Sequence, residues 1–230
     1  MKEYLLFIDT EASGLPKNWK LPYDASGNWP YCVQISWIIF TKTGEKIKKE
    51  NHYIKNDDFS IADSASKVHH IDRAFLNANG EYRHDVLQQL ADDMLTYNPL
   101  VVGHFIQFDL HMLSADFFRA EMEIPIKKEL SFCTMLGSTH LIKNPSVKFL
   151  RLEQLYETLF ESPLLHHHNA IIDAAATAQC FFELARRGDI NDEIILQQQR
   201  TLLKKETIKP PGCLFPMLAI LLLTFLIFYL

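Results

Sequence analysis

Residues 100–103 read Leu-Val-Val-Gly, a short unbroken apolar run lying between Pro99 and His104. A run without polar alternation suits a strand covered on both faces. A chain that contains one must supply a layer on each side of a sheet, and the flanking pattern does so. Residues 4–9 (YLLFID) and 32–41 (CVQISWIIFT) are rich in the β-branched and aromatic residues of strands. Gly44 then marks a turn into a third strand near 46–54, completing an antiparallel meander. From Ile61 the spacing becomes helical: Val86, Leu87, Leu90 and Leu95 precede Pro99, and Leu110, Leu113, Phe117 and Phe118 follow the apolar run. A fifth strand is expected at 129–134 (ELSFCT), and helices at about 151–160, 168–187 and 190–206. Antiparallel strands followed by strand–helix alternation predict an α/β domain built on a mixed five-stranded sheet flanked by helices.

A chain of 230 residues with 48 % hydrophobic and 22 % charged residues has the composition of an ordinary globular protein and the length of one domain. The formal net charge is −5. Residues 210–230 hold no ionisable group other than Cys213 and Tyr229, so the acidity belongs to the part before them. This excludes a protein held on nucleic acid mainly by a basic surface, while Lys17, Lys20, Lys143, Lys148 and Arg151 leave room for a local basic groove. Cys32, Cys133, Cys180 and Cys213 show neither a CxxC pair nor zinc-like spacing, and are expected as reduced thiols. The N-terminus lacks the features of a secretory signal, and the domain is expected in the cytosol.

The other end is different, because Cys213–Leu230 (CLFPMLAILLLTFLIFYL) carries no charge. As a helix this segment would be about 27 Å long, against a hydrocarbon core of about 30 Å. Apolar on every face and following Pro210, Pro211 and Gly212, it is expected as a single-pass C-terminal anchor rather than a core helix. Lys204, Lys205 and Lys209 before it favour a cytoplasmic domain. The chain thus divides into a domain at 1–208 and a transmembrane tail at 213–230.

The stretch FIDTEASGLP (7–16) sends three apolar residues straight into Asp9 and Glu11. Alternate residues of a strand share a face, and two carboxylates so placed raise each other's pKa unless a positive charge intervenes. A polar turn punctuated by Gly14 and Pro16 and a divalent-cation site are both open at this point. Asp109 follows the 100–103 strand and begins a helix, as a favourable N-terminal acid or as part of a site. Asp173, among Ile171, Ile172 and three alanines, needs a partner in an interior or cleft. Asp9, Glu11 and Asp109 all lie at or past the carboxyl ends of strands, where sites form in such sheets. The loop between the first two strands carries Trp19, Tyr23 and Trp29, which either pin it to the body or stack on bases.

Taken together, Asp9-x-Glu11, then Asp109 in Gly-His-x-x-x-Phe-Asp, then His168 five residues before Asp173, resemble the DEDDh branch of the DnaQ-like 3'-5' exonucleases. The sister branch has a tyrosine four residues before the last Asp, where this chain has Asn169. The resemblance runs from residue 4 to about 187 and implies a ribonuclease H-like fold. It implies that Asp9, Glu11, Asp109 and Asp173 bind two divalent cations, Mg²⁺ or Mn²⁺, that His168 takes a proton from the attacking water, and that 3' ends are hydrolysed to nucleoside 5'-monophosphates. Two cations suit an in-line phosphoryl displacement and would neutralise the four acids. His166 and His167 are expected to be solvated neighbours of His168. Thr10 and Leu15 match positions that contact the terminal nucleotide, and His104 and Phe105 are candidate substrate contacts. Phe105 departs from the pattern, since relatives commonly have Asn there; in His69-His70-Ile71, His70 stands where glycine is common. Single-stranded or frayed DNA is taken ahead of RNA as substrate, with a short-RNA-trimming exoribonuclease and a non-catalytic, membrane-tethered nucleic-acid-binding protein as alternatives. The membrane, and a second copy of the chain as in related homodimers, are further expected partners. Removal of residues 210–230 is expected to move an active domain from the membrane pellet to the supernatant; retention in the pellet would refute the tail as anchor.

Overall fold

In the computed structural model, residues 1–126 and 130–207 are described. Strand β1 (Tyr4–Ala12) occupies the middle of the sheet because both its faces are apolar, with Leu5, Leu6, Phe7 and Ile8 all fully buried. It pairs antiparallel with β2 (Cys32–Thr41) and parallel with β4 (Leu100–Gly103). Strands β3 (Lys46–Tyr53) and β5 (Ser131–Cys133) form the edges, giving the order β3-β2-β1-β4-β5. Every residue of β4 is buried, as its apolar run predicts. The sequence KIKKENHY suits β3 to an edge, where lysines discourage further pairing.

The helices are α1 (Asp63–His69), α2 (Arg73–Asn79), α3 (Arg83–Tyr97), α4 (Gln107–Arg119), α5 (Thr134–Gly137), α6 (Leu152–Phe160), α7 (Ala170–Arg187) and α8 (Asp192–Thr207). On one face of the sheet, Leu6, Ile8 and Val101 share a core with Val86, Leu87 and Leu90 of α3 and Leu110, Leu113 and Phe117 of α4. On the other, Leu5, Phe7 and Val102 pack with Leu155 of α6 and Phe181 and Leu184 of α7. Phe7 meets Phe181 edge-on at 5.5 Å. Complete burial of each such side chain contributes roughly 1.5–3 kcal/mol.

The structure corrects several boundaries. Leu95 and Phe118 lie in the expected helices but are 84 % and 49 % exposed, off the buried stripe. Strand β1 continues past Asp9 to Ala12, because Asp9 and Glu11 still pair with Ser36 and Gln34 of β2. Helix α7 begins at Ala170 rather than at 168, since His168 has φ 63° and cannot belong to a right-handed helix. The described cysteines, Cys32, Cys133 and Cys180, are buried and free. The expected membrane segment, 213–230, lies outside the described residues, and among the described residues no helix is long and apolar enough to cross a membrane.

The loop between β1 and β2 is fastened to α4. Trp29 stacks on His111 at 4.9 Å, Tyr23 Oη lies 3.0 Å from His111 Nδ1, and Arg119 donates to the carbonyls of Trp29 and Pro30. Beneath it, the fully buried Asp116 accepts from Arg119 and from the backbone N–H of Cys32. Removing one partner of a buried ion pair leaves the other charge uncompensated, typically at about 3–5 kcal/mol. Asp116→Ala is therefore expected to lose about that much stability, read as a lower denaturant midpoint with an unchanged slope.

Candidate active site

Three segments bring acids to the carboxyl end of β1. Asp9 and Glu11 project from the face of β1 that α7 covers, and Asp173 reaches them from the first turn of α7. One carboxylate oxygen from each of Asp9, Glu11 and Asp173 lies within 4.8 Å of the others. Asp109, in the first turn of α4, approaches from the opposite layer; its Oδ1 accepts from Thr10 N–H at 2.9 Å and Thr10 Oγ1 at 2.8 Å. Thr10 thus spends its hydroxyl proton on Asp109.

Burial pushes every one of these acids up; repulsion among them adds to it for Asp9, Glu11 and Asp109, and Glu153 adds to it for Asp173. Asp9 is raised well above the ordinary carboxylate range by burial and then by Asp109, Asp173 and Glu11. Burial, followed by Asp173 and Asp109, lifts Glu11 to about 8. Asp109 rises to about 7 through burial, opposed by the two Thr10 hydrogen bonds. Asp173 rises to about 6 through burial, opposed by a 2.8 Å hydrogen bond from the backbone N–H of His168 to Oδ2. Its other oxygen, Oδ1, is buried without a hydrogen-bond partner. Hard oxygen donors in a tight group, one of them orphaned, fit a divalent cation.

His168 is exposed beside this group, and its pKa is lowered first by burial of the ring and then by His167. The neutral imidazole is thereby favoured, which is the form that accepts a proton. Both left-handed His166 (φ 57°) and His168 (φ 63°) shape the turn into α7. That turn is anchored by Gln34, fully buried on β2, which accepts from Ala170 N–H at 3.1 Å and donates to Asn169 Oδ1 at 3.1 Å. A third bond, from Gln34 Nε2 to Asn51 Oδ1 at 2.8 Å, fixes the Gln34 amide.

A cleft of about 410 Å³ opens over the acids, lined by Thr10, Leu15, His104, Phe105, Phe108 and His168 among others. Leu15 is 77 % exposed at its rim. His104 forms part of the wall, but both ring nitrogens are engaged: Nε2 donates to the Leu150 carbonyl at 3.0 Å and Nδ1 lies 3.0 Å from Thr134 Oγ1. Burial lowers its pKa to about 4, so the ring is neutral. His104 thus ties the segment before α6 to the strand ends.

The sequence profile of the RNase_T exonucleases matches residues 6–181. The chain belongs to this exonuclease family. The domain resembles Escherichia coli exonuclease I in complex with a dA16 oligonucleotide, with TM-score 0.67 and 16 % identity over 86 % of this chain and 43 % of that one. The same enzyme with a dT13 oligonucleotide gives TM-score 0.64 and 17 % identity over 80 % and 41 %. These matches show the ribonuclease H-like fold of the exonuclease domain, which spans less than half the length of those proteins. No curated protein matches the chain.

Sequence reasoning missed Gln34, although a polar residue inside CVQISWIIF was a visible anomaly. It assigned no site role to His167 or Glu153, which line the cleft with the acids and with Arg151, a candidate for the local basic groove. Glu153 comes from the first turn of α6 and His167 from the turn before α7, and no local pattern marks either. The raised acids also set a pH dependence. A carboxylate whose folded pKa exceeds its unfolded value of about 4 stabilises fully below that value, and the contribution is lost as pH rises through the folded pKa. In EDTA the unfolding temperature is therefore expected to fall by about 5 °C or more between pH 5 and pH 8.5. Millimolar Mn²⁺ is expected to restore it at the upper pH by binding the native state. Asp173→Asn should both flatten the EDTA profile and shrink the Mn²⁺ shift; an unchanged Mn²⁺ shift would refute the cation site.

Proposed function

We propose that this exonuclease is a divalent-metal-dependent 3'-5' enzyme that removes nucleoside 5'-monophosphates from single-stranded or frayed DNA ends. The observation that carries the reading is the convergence of Asp9, Glu11 and Asp173, one carboxylate oxygen of each within 4.8 Å of the others, with Asp173 Oδ1 buried and unpartnered. Asp9, Glu11, Asp109 and Asp173 would hold two cations, Mg²⁺ or Mn²⁺. Bound cations would supply Lewis-acid polarisation of the scissile phosphate and neutralise its developing charge.

The chain's own residues do the rest. His168, neutral and exposed at the cleft, takes a proton from the attacking water as the phosphoryl group transfers. The backbone N–H of His168 holds Asp173 while its ring serves the water, so one residue couples the acid's position to proton transfer. Gln34 keeps that turn in place. Leu15 and Phe108 offer apolar surface to the terminal nucleotide. A narrow cleft favours a nucleotide already out of a duplex, because unpairing costs a few kcal/mol. Escherichia coli exonuclease I, which shares the fold, has been seen with dA16, with dT13 and, in a single-stranded DNA complex, with zinc, which supports a single strand and a metal here. Attachment through residues 213–230 would keep the domain at the cytoplasmic face of a membrane.

The test uses a 5'-labelled single-stranded DNA oligonucleotide and its RNA counterpart, with Mg²⁺ or EDTA. A metal-dependent ladder shortening from the 3' end is expected. His168→Ala should lower kcat by about 10²–10⁴-fold while retaining the Mn²⁺ shift in unfolding temperature. Preference for the RNA would change the substrate assigned, and no cleavage of either polymer would overturn the catalytic reading.

A further inference from the structure

Trp19 is 42 % exposed although the other aromatic anchors of its loop turn inward; Trp29 is only 3 % exposed. Its ring faces Phe105 at 6.2 Å and Phe108 at 6.2 Å, and Phe105 stacks loosely on Phe108 at 6.5 Å. Phe105 is itself 42 % exposed. Two chain segments distant in sequence thus present a continuous aromatic surface, of which Phe105 and Phe108 also line the cleft holding Asp9, Glu11 and Asp173.

The backbone adds a second observation. Phe105 has φ 60°, in the left-handed region where a bulky side chain is strained and Asn or Gly is not. Its carbonyl accepts from Phe108 N–H at 2.9 Å, closing the turn that opens α4 and delivers Asp109. The turn needs the left-handed residue, but nothing in the turn needs an aromatic one, and burial does not account for a ring left half in solvent. Strain held beside a candidate site points to a role for the ring. Lys17 and Lys20, exposed on either side of Trp19 in the chain, place positive charge next to this surface in an otherwise acidic domain.

We propose that Trp19 and Phe105 form a stacking step for the unpaired base immediately 5' of the terminal nucleotide. The proposal rests on the nuclease reading above. Stacking on an aromatic face accepts any base, and requires one not already paired. The step would hold the strand behind the scissile phosphate while Leu15 and Phe108 receive the terminal nucleotide.

Of the three tryptophans, Trp29 and Trp37 are buried, so Trp19 is the solvent-facing reporter. The experiment titrates a short oligothymidylate into the full chain in the His168→Ala background with Mg²⁺, following tryptophan emission and the anisotropy of a labelled strand. Quenching by the single strand is expected, with none from a blunt duplex, and its loss in Trp19→Phe. Trp19→Ala and Phe105→Asn should each weaken binding about tenfold, the scale of one lost stack. Phe105→Asn should at the same time raise the unfolding temperature, a pairing of effects that a merely structural ring would not give. Binding without quenching, or Phe105→Asn binding as tightly as its parent, overturns the stacking step. If the unmodified chain still degrades the strand in that event, the nuclease reading survives; if it neither binds nor degrades DNA or RNA, both fall.

Discussion

Four carboxylates converge where β1 and β4 leave the sheet, and the surrounding structure is arranged to hold them against their repulsion. Strand β1 can be central only if it is apolar on both faces, so its acids emerge from a dry core instead of from water. Burial then disfavours their charged forms, which is why it heads the causes for each of them. Opposing this are a few directed hydrogen bonds: Thr10 to Asp109 and the His168 N–H to Asp173. Those bonds favour carboxylates over carboxylic acids, yet they leave Asp173 Oδ1 unpartnered. A small hard cation would resolve both features at once, by supplying the missing partner and cancelling the repulsion.

The same economy of position appears in the backbone. Among the described residues with positive φ, Asn98 and Glu161 end helices α3 and α6, an ordinary use of left-handed geometry. Phe105 and His168 differ, because they turn the chain at the rim of the cleft just before α4 and α7. Each turn delivers an acid in the following first turn of helix, Asp109 or Asp173. His70 ends α1 at φ 58°, which explains why glycine would also suit that position. At Phe105 and His70, the departures from the pattern of relatives thus keep the backbone that Asn or Gly would adopt, and change only the side chain displayed.

Much of this was legible from local pattern. Strands β2 and β4 fell where their apolar runs placed them, because a buried strand writes its burial directly into consecutive residues. The spacing of His168 and Asp173 told that they belong together, but not that the link is a backbone N–H to a carboxylate oxygen. Reading His168 as helical failed for the same reason: φ is set by the turn and by Asp173, whereas composition reports only helix propensity. The roles of His104 and Gln34 were out of reach, since each depends on partners far along the chain, Leu150 for one and Ala170 for the other. The aromatic loop divided in a way composition could not foresee: Tyr23, Trp29 and Trp19 all meet α4, but Trp29 is buried there while Trp19 keeps one side in solvent.

An acidic domain must hold a polyanion by something other than a basic field. Proteins that neutralise many phosphates release many counterions and bind more weakly as salt rises. Here the net charge is −5 and, on the proposed reading, the acids themselves would face the phosphate, so attraction would have to be local and conditional. Cations at the carboxylates would reverse the sign of the cleft only when bound, making engagement of the scissile phosphate depend on the same ions that assist its hydrolysis. Aromatic faces add affinity that carries no charge, and they act only on bases free to stack. On this reading the domain needs no basic surface because selection for unpaired ends and readiness for chemistry come from the same few residues around β1 and α4.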